Sequence, residues 1–177
     1  YTYFPAVELP DGTPAFTLVP CETFGSSVFE YLVSAEGLGG DGSNIGVFFY
    51  NPSTRILQSK FIPVGPYSFP LNAEQTGTTT LIDTNDSRLL NAVYMNGNIY
   101  TSQAMSLETF NSALGLYVLK PGGDVLLDVA YGNSFGYWFF PAIMPDKTGR
   151  LAVAFSYSDA NNHPSVAYTV SGNTTAP

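Results

Sequence analysis

Charge is what this sequence has least of. Of 177 residues only 6 are Lys or Arg, 14 are Asp or Glu and 1 is His, so 11% are charged and the net charge is −8; globular domains average roughly 25% charged. With so few cations the chain lacks the phosphate-neutralising side chains that nucleic-acid binding needs, and no nucleic-acid partner is expected. An anionic membrane surface is disfavoured for the same reason. A single cysteine, Cys21, excludes an internal disulfide and a cysteine metal cage, and reads as a small buried apolar residue. No apolar run reaches the roughly 18 residues of a membrane-spanning helix and no stretch reads as a signal peptide, so no membrane insertion is expected. Beginning at Tyr1, the chain reads as processed, truncated or excised.

Solubility must then come from Ser, Thr, Asn and Gly, a composition that suits a secreted, extracellular or cell-surface β-protein. Two N-x-S/T sequons, Asn85-Asp86-Ser87 and Asn173-Thr174-Thr175, are compatible with that location.

What the chain has in quantity is strand-forming residues and turn punctuation. Hydrophobic residues make up 45% and aromatics 15%, with 17 Gly and 13 Pro between short apolar runs. Helical periodicity is almost absent, and this is the grammar of an all-β chain. Strands are expected over residues 28–34, 45–50, 56–64, 78–82, 89–94, 98–104, 113–119, 124–131, 139–143, 151–157 and 165–170. Asn51-Pro52-Ser53-Thr54, Asn96-Gly97 and Lys120-Pro121-Gly122-Gly123 supply hairpin turns.

Two phrases recur. Residues 45–59 return as 114–128 at an offset of 69, with Gly46/Gly115, Pro52/Pro121 and Leu57/Leu126 coinciding. Phe4-Pro5-Ala6-Val7 followed by Pro10-Asp11-Gly12 returns as Phe140-Pro141-Ala142-Ile143 followed by Pro145-Asp146 and Gly149. Recurrence of this kind predicts a repeated β unit. Residues 88–131 form one complete unit of four antiparallel strands, about 1–64 a second, and 138–170 three strands of a third. The expected fold is a single all-β domain or fragment with two and a half to three open, propeller-like blades. The alternative is a β-sandwich or jelly roll.

The stretch from Trp138 to Leu151, followed by Phe155-Ser156-Tyr157-Ser158, resembles the two inner strands of a blade in the β-propellers of secreted bacterial proteins, of the sialidase-like or six-bladed type. It departs from the sialidase Asp-box, which has one residue between Asp and Gly where this chain has Lys147 and Thr148. The resemblance implies a propeller-like fold and carries no activity. Propellers need four to eight blades to close, so unpaired strand edges are expected at Tyr1, Tyr3 and Phe4 and at Val166 and Tyr168. Those edges call for a homo-oligomer or for the remainder of a larger chain.

No complete catalytic set is legible. Gly132-Asn133-Ser134-Phe135-Gly136 matches the G-x-S-x-G elbow, but it lies between strands with no helix after it and His163 as the only base. Cys21, Ser134 and His163 are therefore expected to be non-catalytic. Asp83, Asp86, Glu108 and Asp146 could pair as glycosidase carboxylates, yet Arg55, Arg88 and Arg150 are the only arginines and do not read as the trio a sialidase uses. The expected function is a non-enzymatic extracellular binding or self-assembling structural protein. The alternative is a fragment of a secreted carbohydrate-active hydrolase. Oxygen side chains at Asp83, Asn85 and Ser87 are spaced like the start of a Ca²⁺ loop but lack its Gly and closing Glu. Tyr131, Asn133, Phe135, Tyr137 and Trp138 suit stacking on a glycan or a protein hot spot.

Overall fold

The computed structural model describes residues 3–108 and 110–171; Tyr1 and the sequon at Asn173 lie outside them. Among the described residues there are twelve strands and no α-helix. The strands are β1 Val19–Pro20, β2 Glu22–Phe24, β3 Glu30–Ala35, β4 Gly42–Asn51, β5 Ile56–Tyr67, β6 Leu89–Met95, β7 Asn98–Leu107, β8 Phe110–Leu119, β9 Val125–Tyr131, β10 Tyr137–Pro145, β11 Leu151–Asp159 and β12 Asn162–Val170.

Turn chemistry sets the hairpins. Asn51 Oδ1 accepts from the Ser53 and Thr54 amides at 2.9 and 3.3 Å, closing the β4–β5 turn. Asn96 and Gly97, at φ 52° and 82°, form the two-residue β6–β7 turn, the left-handed pair that matches strand twist. The prolines within strands keep to edges, a bulge or a strand end, Pro145 being the last residue of β10. Pro20, Pro63, Pro66 and Pro164 are on edge strands, and Pro141 sits at the β10 bulge beside Phe140, whose φ is +51°.

The strands form a four-stranded sheet ordered β1-β3-β4-β5 and an eight-stranded one. In the larger sheet β2, β6, β7, β8 and β9 make a central layer. Strands β10, β11 and β12 join it through one parallel pair, Tyr137 with Ser112. After that pair the eight-stranded sheet curls so that β10, β11 and β12 lie over its central layer, giving three layers that we call the first, central and third sheets. Strand alternation shows the stacking. Ile99, Met105, Tyr117 and Leu119 pack with Tyr31, Val33, Ile45 and Val47 of the first sheet. Their neighbours Tyr100, Leu114, Leu116 and Val118 point the other way, onto Ile143, Leu151, Val153 and Phe155 of the third. We call the side of a sheet turned to its predecessor the front, and the side turned to its successor the back.

The first and central sheets share one register. Gly46 pairs with Ser34 and Phe61, and Gly115 with Gln103 and Ala130, every partner shifted by 69. The same shift relates every pair from Glu30–Tyr50 to Ala35–Ile45 in β3–β4 with its counterpart in β7–β8. Facing is shared too: Tyr31, Ile45 and Val47 lie on the back of the first sheet and their counterparts Tyr100, Leu114 and Leu116 on the back of the central one.

The expectation of a strand over residues 78–82 is corrected. The Thr-rich run has high β propensity, but this segment is a connection tied down by an Ala73–Ile82 bridge and by Gln75 Nε2 donating to the Thr80 carbonyl at 2.9 Å. Missing from expectation were β1 and β2. They are one short run that kinks at Cys21, Val19–Pro20 pairing with β3 and Glu22–Phe24 running parallel to β6 in the next sheet.

Candidate functional site

The aromatic group at the β9–β10 connection is built by a Gly-rich loop. Asn133 Oδ1 accepts from the Phe135 and Gly136 amides at 3.0 and 2.7 Å, which turns the chain into β10. Trp138 stacks on Phe155 with centroids 4.9 Å apart and planes at 13°, and meets Tyr131 and Tyr157 edge-on. Gly136 is required beneath them, because a Cβ there would lie 2.5 Å from Tyr157 Cε2. The five residues do not share one surface. Tyr137 is buried with Ala73, Ala104 and Phe139, and burial pushes its phenol pKa up. Trp138 is half-buried among rings, whereas Tyr131 and Phe135 are open to solvent.

The oxygen cluster at residues 83–87 is divided among separate tasks. Asp83 Oδ1 accepts from the Asn85 amide at 2.8 Å, and the buried Ser87 hydroxyl donates to the Gly40 carbonyl. Among the described residues no group of three or more His, Cys, Asp or Glu is placed to hold a metal ion. Two of the expected carboxylates are ion-paired locally. Asp86 binds Arg88, and Asp146 binds Arg150 at 2.7 Å.

The G-x-S-x-G motif and its possible partners are dispersed. Ser134 is in the β9–β10 loop and His163 is exposed at the start of β12. Cys21 is buried at the β1–β2 kink, where desolvation raises its thiol pKa to about 12. Burial of this kind favours the protonated thiol near neutral pH.

Two apolar surfaces were not legible as sites. The first is the back of the third sheet. Ile143, Leu151, Val153 and Phe155 point inward, which leaves Ala142, Met144, Ala152, Ala154, Val166 and Tyr168 on the outer side. Met144, Val166, Tyr168 and Val170 are 42, 85, 81 and 59% exposed, and no charge stands among these outward positions. Strands β10 and β11 read apolar on both faces, the pattern of a sheet covered on both sides, and that was the available signal. The second is a groove of about 470 Å³ on the front of the first sheet, where the N-terminal segment crosses it. Leu18, Leu32, Tyr50, Leu57 and the buried Phe48 line it together with one carboxylate, Glu30, and with Phe4 and Val7 of the segment. Of the expected edge residues, Tyr3 is exposed and Phe4 is half-buried, edge-on to Tyr50 at 5.9 Å.

These geometries have no counterpart to lend them a function: the chain matches no protein-family model, no curated protein and no solved structure.

Proposed function

We propose that the chain is a non-enzymatic structural protein, secreted or at the cell surface, whose propeller-like β units serve assembly. The observation that carries this reading is the charge-free back of the third sheet, with Val166 and Tyr168 more than four-fifths exposed. Contiguous apolar surface of this sort on a folded protein marks an interaction site. The shared register of the first two sheets supports the propeller-like description. Sparse charge supports an extracellular setting, and the exposed Tyr131 and Phe135 leave room for an accessory glycan contact.

The mass of the intact protein in solution, followed by light scattering over a wide concentration range, tests the reading. A multiple of the 19.0 kDa chain mass is expected. Val166→Lys with Tyr168→Lys, both at outward positions, should return the mass to a single chain with an unchanged far-ultraviolet spectrum. A wild-type protein that stays a single chain at every concentration would overturn it.

A further inference from the structure

We propose that the partner on the third sheet is a second copy of this chain, docked head to tail so that its first-sheet groove receives this copy's exposed back face. The proposal rests on the assembly reading above and adds the geometry.

Three observations lead there. The register gives facing a meaning beyond chain order: the face of the first sheet carrying Tyr31, Ile45 and Val47 packs on the central sheet, and the equivalent face of the central sheet, carrying Tyr100, Leu114 and Leu116, packs on the third. The surfaces left over are a front and a back: the groove on the first sheet and the outer side of the third. The groove floor also has the right identity. Phe48 and Tyr50 stand 69 residues before Tyr117 and Leu119, which on the central sheet are covered by the first. The front of the first sheet is thus the register equivalent of a surface that elsewhere in this molecule is buried under a back face.

The recurring N-terminal phrase gives the third observation. Leu9 stands immediately before Pro10-Asp11, and it lies on the front of the first sheet, 3% exposed, in the space left by Gly46. Met144 holds the same place before Pro145-Asp146, and it projects from the open back face. One copy of the phrase is already seated on a front face; the other presents the equivalent side chain without a seat. Leu57 and Ser59 on β5 are half-buried and line clefts beside Phe4 and Val7 of the N-terminal segment, and Ser59 pairs with the buried Phe48.

Head-to-tail contacts are heterologous, so copies add to a ring or a filament and do not stop at a two-fold pair. A two-fold pair through the third sheet would instead join its outer side to itself.

Single-cysteine variants separate these geometries. Tyr168→Cys is made in one batch of full-length chain and Leu57→Cys in another, with Ser59→Cys as a second, gentler probe of the same face. Each is oxidised alone and then mixed, with wild type reporting any crosslinking through Cys21. The expected result is a crosslinked dimer only in the mixtures, containing one chain of each variant. Self-crosslinking of Tyr168→Cys would overturn the proposal in favour of a back-to-back pair. An assembled protein that crosslinks in neither mixture would also overturn it while leaving the assembly reading standing. A single-chain mass for the wild type would remove both, as would a longer native chain whose own further sheets cover these faces.

Discussion

Leu9 occupies the space that a side chain at position 46 would need: a Cβ on Gly46 would lie 2.4 Å from Leu9 Cδ2. The glycine is therefore an element of packing, holding the N-terminal segment against the middle of β4. Gly46→Ala should destabilise the fold by about 1–3 kcal/mol through overpacking. Leu9→Ala, at a side chain only 3% exposed, should cost about 2–5 kcal/mol. The two should be far from additive, because the added methyl has nothing to collide with once Leu9 is gone. Urea unfolding of the two single variants and the double variant measures the coupling, and additive values would show that the two sites are independent.

This contact illustrates what the sequence could and could not disclose. Gly46 and Gly115 were visible as coincident members of a repeated phrase, and their common ladder positions follow from a shared alternation and from Pro-containing turns of similar length. Hairpins are local, so Asn51-Pro52 and Asn96-Gly97 announced them. The seat of Leu9 on Gly46 is not local, and neither is the stacking of Trp138 on Phe155. Strands β1 and β2 are not legible because Val19-Pro20-Cys21-Glu22 is too short and too interrupted to alternate, and its pairing is split between two sheets. The aromatic loop read as one surface because five polar-aromatic positions cluster in sequence; alternation along β10 then sends Tyr137 and Trp138 to different sides.

Trp138 is the only tryptophan in the chain, which makes its emission a direct report on the join between the second and third sheets. Phe155→Ala removes the ring stacked on it and opens a cavity in the cluster, at an expected cost of about 3–5 kcal/mol. The emission should shift to the red in the folded state as water reaches the indole. An unshifted spectrum in a folded variant would mean that the stack with Phe155 does not shield the indole.

Tyr67 closes the other end of the first sheet. Its hydroxyl accepts from the Glu36 amide and donates to the Asn44 carbonyl, each at 2.9 Å, and it sits where a side chain at Gly42 would be. Burial pushes its phenol pKa well up, so it remains a neutral donor across the usable pH range. Tyr67→Phe leaves a partly buried amide and carbonyl without that partner, and a loss of about 1–3 kcal/mol is expected in denaturant unfolding.

Acid should weaken the fold in a defined window. Asp159 is held below the usual carboxylate range chiefly by the Tyr157 hydroxyl and then by Asn162. Asp146 is lowered by the Thr148 hydroxyl and by Arg150, and Asp11 by the Thr13 amide and hydroxyl. A carboxylate whose folded pKa is depressed contributes stability above its unfolded value of about 3.9, and that contribution disappears as pH falls toward the folded pKa. The unfolding midpoint should stay level from neutrality to about pH 5 and decline below about pH 4. Asp159→Asn should be less stable at neutral pH and show a shallower acid decline. An acid limb of unchanged slope in that variant would remove Asp159 from the account.

The third sheet is fastened to the central one by a side chain acting as a strand. Asn91 Nδ2 donates to the Ile143 carbonyl at 2.7 Å, and its Oδ1 accepts from the Ile143 amide at 3.0 Å. An asparagine amide thus satisfies both backbone groups of a residue that is 1% exposed, on the edge of β10 opposite its pairing with β11. Asn91→Leu keeps the volume and removes both bonds, leaving two backbone groups without their partner at roughly 1–3 kcal/mol each. The loss should be local. Amide exchange in β10, β11 and β12 should accelerate, while β3 and β4, two layers away, keep the protection of the wild type. Equal acceleration in all three sheets would show that they unfold as one unit and that Asn91 does not define a separate hinge between the second and the third.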